Sequence, residues 1–176
     1  MQSKPALRKY ALSVREAMGE NARHAASSTV AEALTELIRS TKATRVAVFY
    51  PMRGEIDVRA LGKHATLYFP KIIGGRIAFF EDTGELEKGP FGTTVPAHDN
   101  ETKLSAIDMV VVPGLCYDRR GYRIGYGKGY YDELLSRYQG FSVGVCFADL
   151  VVDELPIEPH DRAVSMLVTE RGTMKG

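Results

Sequence analysis

The chain has 176 residues, 44% apolar and 26% charged, with 23 Lys and Arg against 22 Asp and Glu. This is the composition of an ordinary soluble globular protein, and residues 1–176 read as one domain with one sizeable core. The balanced charge leaves no basic footprint for nucleic acid, and no apolar run approaches the ~20 residues of a membrane span.

The N-terminal MQSKPALRKY lacks the long apolar core of a secretory signal, so a cytoplasmic protein is expected. Residues 4–18 read as a helix, with Ser3 as cap and Pro5 in the first turn. Leu7, Ala11, Val14 and Met18 make one apolar face. Lys4, Arg8 and Arg15 fall within an arc of ~40° bordering that face, at ~100° per residue. They are either a solvated edge with snorkelling stems or cations over the rim of a cleft. Gly19 stops this helix, and a second runs over 21–40 with Val30, Leu34, Leu37 and Ile38 on one face.

Strand-like segments follow at 45–50, 66–69, 76–81, 109–112, 142–147 and 163–169. Three of these runs meet a proline (Pro51, Pro70, Pro113), which reads as the end of the strand. Asp57 can cap a helix through His64, and residues 82–105 read as a long polar connection. Strand, loop, helix and strand repeat over 45–69 and 109–147. Apolar runs such as Val110-Val111-Val112 imply strands covered on both faces, hence an α/β sandwich with a largely parallel sheet. Ligands of such sheets sit beyond the carboxyl ends of the strands, where loops 51–55 and 113–129 both fall.

The second of these loops carries the strongest signal. PGLCYDRRGYRIGYGKGYYDELL (113–135) places Gly121, Gly125, Gly127 and Gly129 around Arg123 and Lys128, just before a helix over 130–138. Glycines let backbone N–H groups converge on an anion, and a helix start adds free N–H groups and a positive dipole end. It is not a Walker A loop, because Gly129 rather than Ser or Thr follows Lys128. Asp132 and Asp161 are the oxygen ligands best suited to Mg²⁺, although Asp161 also reads as a turn residue or a partner of Arg162. Glu55 is either a buried acceptor for a ligand N–H or a first-turn acid of the Asp57 helix. Tyr130 and Tyr131 serve as core or as ligand contacts, whereas Tyr126 sits at the loop tip. The four histidines lack metal-ligand spacing, and Cys116 and Cys146 read as free thiols.

With these residues in place, the chain resembles the 5-formyltetrahydrofolate cyclo-ligase family over nearly its whole length. The resemblance rests on Lys4 and Arg8, FYPMRGEIDV, DMVVVPGLCYDRRGYRIGYGKGYYDELL and PIEPHDRAV. It implies a three-layer α/β/α sandwich and an ATP- and Mg²⁺-dependent cyclisation of 5-formyltetrahydrofolate to 5,10-methenyltetrahydrofolate. Lys4, Arg8, Arg123, Ile124, Gly125, Tyr126, Gly127, Lys128, Gly129, Tyr130 and Tyr131 would contact ATP, with Lys128 and Arg123 catalytic. Tyr50, Glu55, Tyr126 and Tyr130 would meet the folate, and Asp132 and Asp161 would hold Mg²⁺. A monomer acting on small molecules is implied, without nucleic-acid or membrane partners. Two other readings share these residues: a paralogue acting on another amide or a thiamine-related metabolite, and a non-catalytic nucleotide- or folate-binding module. The chain departs from the family pattern at Ser165, where an Asp is frequent near the second acid, and at Tyr126, where some members carry arginine.

Overall fold

The computed structural model describes residues 3–90 and 93–176. The chain opens with α1 (Lys4–Ala17), whose Ser3 hydroxyl accepts from Ala6 N–H, and α2 (Glu20–Thr41). Then come β1 (Arg45–Ala47), a 3-10 segment (Arg59–Lys63), β2 (Thr66–Ile73) and β3 (Arg76–Glu81). Three short strands, β4 (Leu86–Lys88), β5 (Thr94–Pro96) and β6 (Glu101–Thr102), precede β7 (Met109–Pro113). The last part holds β8 (Cys116–Asp118), β9 (Arg123–Ile124), α3 (Tyr130–Arg137), β10 (Phe141–Val145), β11 (Val151–Val152), β12 (Met166–Thr169) and β13 (Gly172–Lys175).

An eight-stranded sheet runs β13-β12-β10-β7-β1-β2-β3-β6, parallel from β12 through β2 and antiparallel at both edges. From the centre, β1→β2 and β7→β10 step in opposite directions. Right-handed crossovers therefore put their connections on opposite faces. The 3-10 segment lies on one face with α2, which contacts it and β12, while α3 lies on the other and contacts β3. Three layers result, α over sheet over α.

The sheet centre explains the apolar runs: Val110, Val111 and Val112 are all fully buried, because both faces of β7 are covered. Leu34 and Val30 press down from α2 and Leu134 from α3, each such side chain contributing roughly 1.5–3 kcal/mol by burial. The Tyr117 ring stands between Gly114 and Gly144, where an added Cβ would lie 2.5 Å from it on either side. Its hydroxyl donates to the Val112 carbonyl at 2.7 Å.

Several expectations are corrected. Pro70 does not end β2 but pairs with Phe79 inside it. The Asp82 N–H bond to Leu67 O sets the ladder's alternation, which puts Pro70 at a non-bonded pair with its nitrogen facing away from β3. On that side β1 pairs only as far as Tyr68, so the missing N–H breaks no ladder bond. The strand expected over 45–50 ends early, at Ala47, so β1 spans only Arg45–Ala47. The helix expected from Asp57 is a single 3-10 segment; Asp57 accepts from Arg59 N–H and its guanidinium instead of capping an α-helix. Residues 82–105 are not a plain connection, since they hold the β4–β5 hairpin and edge strand β6; residues 91 and 92 lie outside the described residues. The 113–129 stretch contains β8 and β9, which join β11 in a small separate sheet.

Candidate active site

The carboxyl ends of β1 and β7 lead into the two loops expected to share a site. After β7 the chain rises as β8, turns at Asp118 and returns as β9. The buried Asp118 carboxylate fixes that turn, accepting N–H groups from Arg120, Tyr122 and Leu155 as well as the Arg120 guanidinium. Ile124 closes β9 with its side chain in the core, so only its main chain faces outward chemistry. The segment that follows lies at the surface, Tyr126 to Gly129 being exposed. Gly127 (φ 96°) and Gly129 (φ 70°) adopt left-handed backbone, and Gly129 leads into α3 without a side-chain cap on the helix N–H groups.

Helix α1 decides between the two readings of its basic arc. Lys4 Nζ lies 2.7 Å from Asp161 and 2.6 Å from Glu158. Arg8 Nε donates to the Gly125 carbonyl at 2.9 Å. Arg15 is 2% exposed and donates to the Gly114 carbonyl, so it is neither a solvated edge nor a rim residue but lies buried beneath the loop that follows β7. Three cations on one line of a helix thus reach three separate segments.

Glu55 faces Arg15. It is no first-turn acid: its carboxylate is 6% exposed and receives Met52 N–H at 3.0 Å on Oε2. Its Oε1 lies 3.7 Å from Arg15 Nη1 and 3.4 Å from the Tyr126 hydroxyl, which donates to it. Burial pushes the Glu55 carboxyl up, against the pull of Met52 N–H, Arg15 and Tyr126. The Tyr126 phenol is itself pushed up to about 12 by burial and by the Glu55 charge. Arg53, held at φ 46°, stacks over the Tyr126 ring at 5.5 Å, so the two loops meet.

Arg123 and Asp132 form a second centre. Arg123 Nη2 is 3.2 Å from Asp132 Oδ2 with a 4% exposed side chain, and its guanidinium lies 5.4 Å from the Tyr131 ring centre. Its Nε and Nη2 nonetheless have no hydrogen-bond partner, so the pair meets as charges without a directed bond. Asp132 Oδ1 accepts Arg162 N–H at 3.2 Å, which sets it beside Asp161 along the chain. Burial pushes Asp161 up, but Lys4 and Glu158 N–H outweigh it and the net shift is down.

Other expected residues sit differently. Lys128 is exposed, and Tyr130 and Tyr131 are partly buried against the core. Tyr50 stacks on Phe69 at 3.9 Å, and among the described residues no hydrogen bond joins it to Glu55 or Tyr126. Ser165 pairs with Ser142 across β10 and β12 and makes no hydrogen bond to Asp161. His160 stands with Glu158 and Asp161 in one cluster, a grouping the sequence spacing did not suggest. Cys116 and Cys146 are free and buried, and burial pushes the Cys116 thiol up to about 11. A cavity of about 600 Å³ lies by Thr44 and Thr66 at the opposite end of the sheet. Arg15 and Arg53 were absent from the sequence-derived site; the 4, 8, 15 spacing was the signal for the first, and nothing local marked the second.

The fold is an α/β sandwich that brings a glycine-rich turn and several cations together at the carboxyl ends of its strands, where such sheets place their ligands. A family model described as the 5-formyltetrahydrofolate cyclo-ligase family matches residues 1–170, and the chain belongs to that family of ligases. It is 27% identical to the 5-formyltetrahydrofolate cyclo-ligase of Saccharomyces cerevisiae over 99% of this chain and 98% of that one. The mouse enzyme of the same name is 31% identical over 72% and 73% of the two chains. Among solved structures, the 5,10-methenyltetrahydrofolate synthetase of Aquifex aeolicus superposes with a TM-score of 0.87 at 35% identity, covering 98% of this chain and 92% of that one.

Proposed function

We propose that this chain closes 5-formyltetrahydrofolate to 5,10-methenyltetrahydrofolate while ATP becomes ADP and phosphate, as a single-domain cytoplasmic monomer. The observation that carries the reading is the joining of two differently built centres by one helix. Arg8 and the exposed glycine turn offer an anion site, while Glu55, Arg15 and Tyr126 offer a buried polar site.

The residues fit ATP. Arg123 has buried nitrogens without partners, and Gly127 turns the chain through left-handed backbone beside the Arg8 guanidinium. They also fit Mg²⁺: the Asp132 and Asp161 carboxylates, already aimed at Arg123 and Lys4, present the hard oxygens it takes. Asp132 and Asp161 would hold that ion, which supplies neutralisation of phosphate charge.

A formamide carbon is a poor electrophile, and its oxygen leaves poorly. The formyl oxygen takes the γ-phosphoryl group as the bond to ADP breaks. N10 then attacks the activated carbon and loses its proton to solvent, and the C–O bond breaks with departure of phosphate. The protein needs no nucleophile for this; it positions and neutralises. Arg8, Arg123 and Lys4 grip phosphates, Lys128 offsets the charge that develops on transfer, and main-chain groups of Ile124, Gly125, Gly127 and Gly129 line the turn. Tyr130 and Tyr131 back the nucleotide. Glu55 accepts a folate N–H, with Tyr50, Tyr126 and Tyr130 against the ring. The test follows methenyl absorbance after mixing 5-formyltetrahydrofolate, Mg²⁺ and ATP. Stoichiometric ADP and methenyl product are expected, and intact enzyme yielding no product would refute the reading.

A further inference from the structure

We propose that Arg15 is a positioning residue for the folate site: it keeps the Glu55 carboxylate and the Tyr126 hydroxyl in the one arrangement that leaves Glu55 Oε1 open to substrate. The inference rests on the reading of Glu55 as a folate contact.

Arg15 sits on the inner face of α1 with 2% exposure, where a guanidinium is costly to bury unless paired. The Gly114 carbonyl takes one end of it, and Nη1 donates to the Tyr126 hydroxyl at 3.5 Å. Nη1 also faces Glu55 Oε1 at 3.7 Å, while Nε has no partner. Glu55 is pinned from the other side, since Oε2 takes Met52 N–H at 3.0 Å. Oε1 is therefore oriented, yet both its neighbours stand at long range, 3.4 Å and 3.7 Å, so it retains capacity for a closer donor. Arg23 supports the arrangement from α2, donating to the Arg15 and Met18 carbonyls.

Charge follows geometry. The groups around Glu55 are Arg15 from α1, Tyr126 after β9, Tyr117 from β8 and Tyr131 from α3, with Arg53 of its own loop stacked on Tyr126. Arg15 is the buried cation among them, so its removal raises the Glu55 carboxyl further and protonates the acceptor at higher pH.

The experiment measures the Kd of 5-formyltetrahydrofolate by calorimetry across pH, beside cyclisation kinetics, for wild type, Arg15→Met and Glu55→Gln. Arg15→Met is expected to move the acid limb of binding and of kcat/KM up by about one pH unit or more. It should raise KM for the folate about tenfold while leaving KM for ATP within about twofold. Glu55→Gln should abolish the limb in either background. A purely structural Arg15 would lower the melting temperature and leave the limb in place, and that result overturns the proposal. If Arg15→Met does not fold, Arg15→Lys takes its place. A retained limb with a several-fold higher folate KM supports positioning, and an unchanged KM overturns it. Wild-type enzyme that binds the folate without forming product refutes the reaction and leaves the binding test of Arg15 intact; failure to bind at all removes both.

Discussion

Arg123 Nη2 lies 3.2 Å from Asp132 Oδ2, but that nitrogen makes no directed hydrogen bond. In the proposed reaction a phosphate oxyanion would complete these unused N–H groups of the buried guanidinium. Arg123→Lys keeps the charge but loses the planar fork. Turnover is expected to fall about 10²-fold, with a stronger effect on kcat than on the folate KM. Steady-state kinetics with both substrates varied will decide it; a variant within twofold of wild type contradicts the assignment.

Lys128 is exposed and makes no hydrogen bond or ion pair within the described residues, so its removal leaves the packing alone. Lys128→Ala should retain the wild-type melting temperature and lose about 10²–10³-fold in turnover. Folding measured by circular dichroism alongside single-turnover kinetics separates the two effects.

Gly127 combines a φ of 96° with a Cβ position 3.4 Å from the Arg8 guanidinium. Gly127→Ala is strained by its left-handed backbone and must shift the turn, so KM for ATP should rise about tenfold with a stability loss of about 1 kcal/mol. An unaltered nucleotide KM would show that the turn does not depend on that conformation.

Gly144 tests the core and not the chemistry. A Cβ there would stand 2.5 Å from the fully buried Tyr117 ring, hemmed on its other side by Gly114. Gly144→Ala is expected to cost about 1–3 kcal/mol in urea unfolding through overpacking. A neutral result would mean the ring has room to shift.

Asp108 accepts N–H groups of Thr44 and Arg45 at 2.8 Å each, fixing the start of β1. The Thr44 N–H bond is the main cause holding its carboxyl below the ordinary 3.8, with Arg45 N–H assisting against burial. A depressed carboxyl contributes stability above its unfolded value and loses it as pH falls through the folded one. Asp108 is exposed, so solvent screens much of this effect: Asp108→Ala should cost less than about 1 kcal/mol at neutral pH, and the difference should fade below the 3.8 of the unfolded group. Denaturation at several pH values checks it; a constant difference points to packing instead.

Much of this was legible in the chain. Period and length gave α1 and α2 within a residue or two, because their apolar faces recur at helical spacing. The buried valines of β7 announced a strand covered on both faces, and the glycines around Arg123 and Lys128 announced a tight turn, two of them with left-handed backbone. Pro70 misled, since a proline stops a strand only where its missing N–H would face a partner, and partners are not written locally. The short strands β4 to β6 and β8, β9 and β11 escaped for the same reason: two or three residues carry no period, and pairing makes them strands.

The sequence alone determined the inventory: a parallel α/β core, a glycine-rich turn before a helix, and a line of cations on the first helix. Only the tertiary structure decided which cation serves which group. Lys4, Arg8 and Arg15 look alike in an arc, but α1 crosses the strand ends so that they reach Asp161, Gly125 and Gly114 in turn. Arg15 alone is carried below the surface, where low dielectric strengthens its hold on Glu55. Helical spacing sets the direction of a side chain; burial is set by what the rest of the chain lays over it.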